Sequence, residues 1–492
     1  MGSSFGSINT ALTSLYAQRR GLDVAGQNIA NATTEGYTRQ RVDMQAQVGS
    51  TVGVRWATTD GLGTGVAVSD VQRLRDQYLE NRGRTEHANS AYLSNQAAAY
   101  TSLEDVFSEP SNTALQAQMH DMWAAWGDVG DEPTSVAARS ALLQQSSVVA
   151  EGLNSAYGAL DSQWSANATQ LTKFATEVNT AAGTIAQLND SIVKAKATGV
   201  VVNELEDRRD LAVMKLSELV GATASVRDDG SMDVYVGNAL LVNRTTTRPM
   251  TATAGVSTLD AQRDYNADPA NGTKSAGLTW SDTGDVVQAG GRTGSMVETM
   301  TTILPGMAEK LDKVAKTLVD TVNAATTSAY KTDGTAGTEF FTGDFSTGRY
   351  ARNITVAITN PKDVAISAKN ETNPDGTPKL DVGGNPIGTN DGSKATTLAG
   401  TATKVGSPDL VYQDMIADLG VNAQTSTRRS EIQVNVTAQV DAAREAESGV
   451  NLDEEMTNLL TYQRGYEAAS RVLTTIDSML DQLINRTGLV GR

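Results

Sequence analysis

Leu452-Asp453-Glu454-Glu455-Met456-Thr457-Asn458-Leu459-Leu460-Thr461-Tyr462-Gln463-Arg464-Gly465-Tyr466 opens a segment whose apolar residues return every three or four positions. The series Leu452, Met456, Leu459, Tyr462, Tyr466, Ala469, Leu473, Ile476, Leu480 and Leu483 has a mean period of about 3.5, the repeat of a coiled-coil seam. Its three leading acids fall in the first turn, where carboxylates favour the positive end of the helix dipole, so capping accounts for them without a metal.

Working outward, the other end of the chain carries a matching pattern. Phe5, Ile8, Leu12, Leu15, Leu22 and Ile29 alternate by three and four, with Arg19 and Gly26 at the two remaining seam positions. The two seams are expected to close on each other, so that about residues 60 to 445 leave and return to one base. A pair of terminal helices with so few seam residues is marginal alone and is expected to order fully when identical neighbours cover its other faces.

Composition narrows the function. The chain has 492 residues, a formal net charge of -17 and no cysteine. An acidic protein is a poor ligand for nucleic acid or an anionic membrane, and disulfides, thiolate metal sites and cysteine nucleophiles are excluded. No apolar run is long enough to span a bilayer, so no membrane insertion is expected. Phe5, Ile8, Leu12 and Leu15 are separated by polar residues, unlike the apolar core of a cleaved signal peptide.

After the first helix, Asn28-Ile29-Ala30-Asn31-Ala32-Thr33-Thr34-Glu35-Gly36-Tyr37 supplies asparagines, threonines and a glycine suited to a helix stop and turn. Thr38 to Val42 follows as a short strand candidate, Gly61, Gly63 and Gly65 read as a turn, and a second long helix is expected from near Ser69.

These residues carry a resemblance. Ser7 to Val42, with Asn28, Asn31, Gly36-Tyr37 and Thr38-Arg39-Gln40, resembles the N-terminus of bacterial flagellar axial proteins. Gly63-Thr64-Gly65-Val66 with Arg73 and Asp76 extends it, and Ser448 to Met456, Asn458-Leu459-Leu460, Tyr462-Gln463 and Tyr466 close it. Within that class, Thr-Arg-Gln after Gly-Tyr and the Val-Asn-Leu-Asp-Glu-Glu opening look more like the hook-filament junction members than the hook or rod members. The resemblance covers the outer third of the chain. It implies a self-assembling structural protein, exported unfolded through the flagellar type III pathway and placed outside the cell between hook and filament. The partners it implies are copies of itself in a junction ring, the hook protein, a distal junction protein, and a cytoplasmic export chaperone on the C-terminal helix. Another axial role, or a non-flagellar secreted helical adhesin, stays open.

The interior reads as mainly α with β insertions. Residues 69–221 are alanine-rich and helical, clearest at Leu171, Phe174, Val178, Ala181, Ile185, Leu188, Ile192 and Ala195, with Trp123, Trp126 and Trp164 as packing residues. Asn203 with Glu206 suggests a capping box, and Gly221 a helix stop. Ser225 to Val236 reads as a hairpin about Asp229-Gly230. Helical spacing returns from Met300 to Ala325, with Pro305 as a kink or start. Residues 331–410 are irregular, with strand candidates at 354–359 and 364–367 and turns at Asn373-Pro374-Asp375-Gly376 and Asn390-Asp391-Gly392. Helix resumes from about Leu410. The expected division is therefore nested: 1–60 and 447–492 as a terminal assembly domain; 61–221, 292–330 and 411–446 as a bundle; 222–291 and 331–410 as β-rich or irregular insertions.

No enzyme signature, cofactor motif or metal motif is found. Of the two histidines, His87 follows Glu86 on a polar face and is expected to be solvated. Asp264, Asn266 and Asp268 begin like a calcium loop, but Pro269 stands where glycine is needed.

Overall fold

The computed structural model describes residues 4–47, 63–253, 255–270, 274–380, 382–384 and 386–486, and no side chain before Gly6 or after Gln482. The chain is mainly helical with small antiparallel sheets, as expected. In order it forms α1 (Ser4–Ala30), β1 (Gln40–Gln47), β2 (Gly65–Arg73), α2 (Gln77–Phe107), α3 (Leu115–Asp131), α4 (Val136–Ala197) and α5 (Asn203–Val220). Next come β3 (Thr223–Val226), β4 (Met232–Val236), β5 (Ala239–Asn243), β6 (Thr246–Thr247), β7 (Met250–Ala252), α6 (Leu259–Ala267) and β8 (Leu278–Trp280). The remainder is α7 (Gly291–Glu298), α8 (Leu304–Thr327), β9 (Phe341–Thr342), α9 (Tyr350–Asn353), β10 (Thr355–Val356), α10 (Ser393–Ala399), α11 (Pro408–Ser448) and α12 (Leu452–Arg486).

Two compact units share these elements: Met1–Asn89, Asn179–Arg248 and Val434–Arg492 form the first, Ser90–Val178 and Pro249–Gln433 the second. The β-rich stretch 222–291 is divided between them.

In the first unit, β1 and β2 pair antiparallel from Gln40 opposite Arg73 to Gln47 opposite Gly65, with an irregularity at Asp43/Met44. Val42 and Val71 of this ribbon pack with Val24 of α1, and Met44 and Val68 close the cluster. The helix expected from Ser69 therefore starts later. Ser69 lies in β2, where Val66, Val68 and Val71 suit a pleated surface, and its hydroxyl donates to Asp43. The helix begins only after Asp76, whose carboxylate accepts from the Tyr78 and Leu79 N–H groups at 2.7 and 3.2 Å.

The Asn203 capping box is also replaced. The Asn203 amide donates to Gln40 Oε1 at 3.0 Å and to the Val71 carbonyl at 2.8 Å, tying α5 to the ribbon instead of capping its own helix. Gly221 ends α5 in the left-handed region as expected, at φ 69°. The expected hairpin forms as β3 and β4, in a four-stranded sheet ordered β3-β4-β5-β6. Fully buried Asn189 of α4 pins that sheet. Its amide donates to the Met232 and Arg244 carbonyls, and its Oδ1 accepts from Met232 N–H and Arg209.

In the second unit the three tryptophans are core residues. Trp126 packs on Phe340 with ring centres 5.1 Å apart, Trp123 Nε1 donates to Asp409 at 2.7 Å, and Trp164 Nε1 donates to the Met300 carbonyl at 3.1 Å. Pro305 stands in the first turn of α8, one of the two places expected for it. A π-helical stretch, Thr299–Ile303, joins α7 to α8. Pro305 has no N–H for the Thr301 carbonyl four residues back, and Asn266 Nδ2 donates there instead at 2.7 Å. That bond, an ion pair from Asp264 to Arg349 and the Asp268 turn with Ala270 occupy the three residues that began like a calcium loop. Of the strand candidates at 354–359 and 364–367, only Thr355–Val356 is a strand, paired with β9, and Ser367 makes a single bridge to Tyr330.

Candidate assembly interface

The helix α1 packs along α12. Asn28 meets Glu455, a Cβ on Gly21 would lie 2.7 Å from the Tyr462 ring, and one on Gly465 would lie 2.8 Å from Gln18. As numbers rise along α1 they fall along α12, so the pair is antiparallel. The surface of α1 turned to α12 carries glycine and small or polar residues, because an aromatic ring can sit on a helix backbone only where no Cβ intervenes.

This differs from the sequence expectation. The buried residues of α1 are Ala11, Ala17, Gly21, Val24, Ala25 and Asn28. Ile8, Leu15, Leu22 and Ile29 are only half-buried, and Leu12 is 38% exposed. On α12, Leu459, Tyr462, Leu473, Ile476 and Leu480 are half-buried and Ala469 is buried, whereas Leu452, Met456 and Tyr466 are 51%, 49% and 40% exposed. The two stripes are thus only partly covered within the chain. The side chains of Phe5 and Leu483 lie outside the described residues, as does Gly61.

The turn after α1 is built around Asn28, 1% exposed. Its amide nitrogen donates to the Gln40 carbonyl at 2.9 Å and to Glu455 at 3.0 Å, and its oxygen accepts from the Tyr37 hydroxyl and Gln40 N–H. Burial, followed by the charges of Asp207, Glu204 and Glu455, pushes the Tyr37 hydroxyl up to about 12, so it stays a donor. Asn31 serves the turn locally: its amide donates to the Gln27 carbonyl and its oxygen accepts from Thr34. Gly36 takes φ 79° against Leu211.

Arg39 completes the join. Its Nε donates to Glu455 at 2.8 Å, its Nη1 to Glu454 at 2.7 Å, and its backbone N–H to the Ser448 carbonyl at 2.9 Å. Asn451 caps α12 by accepting from the Asp453 and Glu454 N–H groups. Glu455, 3% exposed, therefore does more than favour a helix dipole: it is the acceptor shared by the first helix and the turn that follows it. Periodicity could not reveal this, because it scores only apolar positions.

A charged network lies beside the join in the same unit. Arg73 reaches Glu206 and Asp207 at 2.8 Å and Asp210 at 2.9 Å, Arg75 reaches Glu80 at 3.0 Å and also Asp210, and Arg444 reaches Glu80 at 3.1 Å. Thr38 N–H donates to Asp207. His87 belongs to this region and is not freely solvated: it is three-quarters buried, with Glu218 and Asp441 on its two ring nitrogens. Sequence alone placed it on a polar face but not against two further helices. Among the described residues no group of three or more His, Asp or Glu is arranged to hold a metal, and no helix is long and apolar enough to cross a membrane.

Three family models match the chain. The flagellar hook-associated protein FlgK helical domain matches residues 100–341, the C-terminal model of flagellar basal body rod FlgEFG proteins matches 444–486, and the flagella basal body rod protein model matches 8–38. The chain is 28% identical to flagellar hook-associated protein 1 of Bacillus subtilis over 100% of both chains. It is 25% identical to the protein of that name from Salmonella typhimurium, over 97% of this chain and 99% of that one. Its fold resembles the flagellar hook junction protein FlgK from Burkholderia pseudomallei, with a TM-score of 0.61 and 15% identity, over 75% of this chain and 100% of the other.

Proposed function

We propose, for a chain that belongs to the flagellar hook-associated protein 1 family and is a structural component of the bacterial flagellum, a specific way of joining hook to filament. Copies assemble through the terminal helices, each α1 and α12 offering its uncovered apolar residues to neighbours. The assembly surface comprises Ile8, Leu12, Leu15, Leu22 and Ile29 with Leu452, Met456, Leu459 and Tyr466, and, further along α12, Leu473, Ile476 and Leu480. Residues 1–60 and 447–492 act as the assembly domain, with the nested bundle and insertions carried on it. The chain performs no catalysis in this role.

One observation supports the reading above the rest. The heptad spacing of the α1 stripe calls for a helical partner, yet α12 meets α1 through Gly21 and Asn28, and Leu12 remains 38% exposed. Leu452 and Met456, half exposed, are the complementary kind of surface. Before assembly such stripes need cover, which is the task of a cytoplasmic export chaperone on α12; after type III export the neighbours are copies of this chain, the hook protein and a distal junction protein, outside the cell.

The test is complementation of the source bacterium lacking this chain, read by electron microscopy. Loss should leave hooks without filaments and flagellin in the medium. Leu12→Asp and Met456→Asp should fail to restore filaments while the purified variants keep their helical circular dichroism, and Leu473→Asp and Ile476→Asp should also fail. Full filaments on cells carrying only the Leu12→Asp or Met456→Asp chain would refute assembly through these stripes; loss of hooks would move the chain to the hook or rod.

A further inference from the structure

His87 of α2 is held between carboxylates from two other helices. Nδ1 lies 3.0 Å from Glu218 Oε1 on α5, and Nε2 lies 3.1 and 3.0 Å from the two oxygens of Asp441 on α11. A neutral imidazole carries one N–H. It can donate to one of these acids and must set a lone pair against the other, whereas the imidazolium donates to both. Because each ring nitrogen faces a different acid from its own side, the arrangement is not that of a metal site.

We propose that His87 is a proton-operated clip that fastens the last turns of α11 to α2 and α5, closed in the imidazolium form and loosened when the proton leaves. Other charged groups flank this site. Arg444, one turn along α11, donates to Asp441 Oδ1 at 3.1 Å and to both oxygens of Glu80 on α2 at 3.2 and 3.1 Å. On α2 itself, Glu86 is engaged with Arg82 and its carbonyl accepts from the Thr437 hydroxyl of α11 at 3.2 Å. From α5 the facing charge is Glu218. Hydrogen bonding to Glu218 raises the His87 pKa, burial opposes it, and Asp441 adds to the rise, leaving it above the usual 6.5.

The clip has a place to act. A few residues past Asp441, the carbonyl of Ser448 accepts from Arg39 N–H, at the point where α11 gives way to α12. Loosening α11 here loosens the segment that delivers Glu455 to Asn28 and Arg39. The sign follows from the raised pKa: the stabilisation is complete below about pH 6.5 and is lost as pH rises through the folded-state value. The inference concerns the chain's own fold and stands whether or not the assembly reading holds.

The chain has two histidines, so the Cε1–H region of its imidazole NMR spectrum holds two signals, and the one missing in His87→Gln is His87. Its titration midpoint should lie above 6.5 and fall in both Asp441→Asn and Glu218→Gln. Hydrogen exchange of residues 434–448, corrected for intrinsic base catalysis, should lose protection as pH rises through that midpoint, and His87→Gln should show the unprotected level throughout. A midpoint at or below 6.5 in the unsubstituted chain would overturn the proposal. So would 434–448 protection in that chain that does not change across the midpoint, a reading that needs no variant to fold.

Discussion

Asn28 and Glu455, 427 residues apart in the chain, are hydrogen-bonded at 3.0 Å in a buried contact between its first and last helices. Arg39 donates to the other oxygen of the same carboxylate at 2.8 Å. Three segments therefore depend on one buried acid, and a buried charge that loses its partners is costly.

Glu455→Ala should thus destabilise the first unit by about 3 kcal/mol, since it removes the buried acceptor that Asn28 and Arg39 share, leaving Asn28 the Gln40 carbonyl and Arg39 the more exposed Glu454. Arg39→Ala combined with Glu455→Ala should cost less than the two singles together, because they remove one interaction twice. Urea unfolding of the four chains measures this; strict additivity would show that Arg39 and Glu455 do not act together.

Two glycines of α1 separate close packing from helix propensity. At Gly26 nothing lies within 4 Å of an added Cβ, so Gly26→Ala should stabilise by up to about 1 kcal/mol. At Gly21 the new carbon meets the Tyr462 ring at 2.7 Å, and overpacking of about 1–3 kcal/mol should outweigh the same propensity gain. Thermal unfolding should move in opposite directions; equal shifts would mean that Tyr462 does not rest on α1.

Acid should act on the first unit through Asp210. Burial opposes its charge, but the guanidinium groups of Arg75, Arg73, Arg209 and Arg84 hold its carboxyl below the usual carboxylate range. A depressed pKa contributes stability above about pH 4 that is lost as pH falls through the folded-state value. The stability gap between the unsubstituted chain and Asp210→Asn should be widest above about pH 5 and close in stronger acid. A gap independent of pH would assign the loss to packing instead.

The π-helical stretch accepts a hydrogen bond from a tryptophan. Trp164→Phe keeps an aromatic ring but removes the donor to the Met300 carbonyl, and an orphaned buried carbonyl costs about 1–3 kcal/mol. Denaturant unfolding of the full chain should show a loss in this range, with hydrogen exchange rising first between Met296 and Met307. Unchanged exchange there would leave the π-helical stretch standing without Trp164.

The terminal helices were legible because apolar period is a local property of sequence, and the helix stop at Asn28 to Tyr37 was legible because asparagine and glycine act on their own backbone. The start of α2 was misread by several residues: alanine-rich sequence downstream hid the β-branched run Val66, Val68, Val71, whose preference is realised only beside β1. Asn203 looked like a cap because its spacing to Glu206 is local, while its actual partners, Gln40 and the Val71 carbonyl, come from a distant ribbon.

What the sequence determined by itself is the alphabet of the base: two long amphipathic ends, a turn between α1 and β1, an acidic cysteine-free chain and no catalytic motif. Which face of α1 meets α12 was decided only in three dimensions. Apolar period says that a stripe needs a partner and cannot say which one. The contact was taken by Gly21, where a ring can rest on bare backbone, and by Asn28, where a buried carboxylate finds donors; the apolar stripe was left only partly covered. His87 makes the same point for charge. Its neighbour in sequence is Glu86, but the acids that meet its ring come from two other helices, and only their convergence gives each ring nitrogen a carboxylate partner.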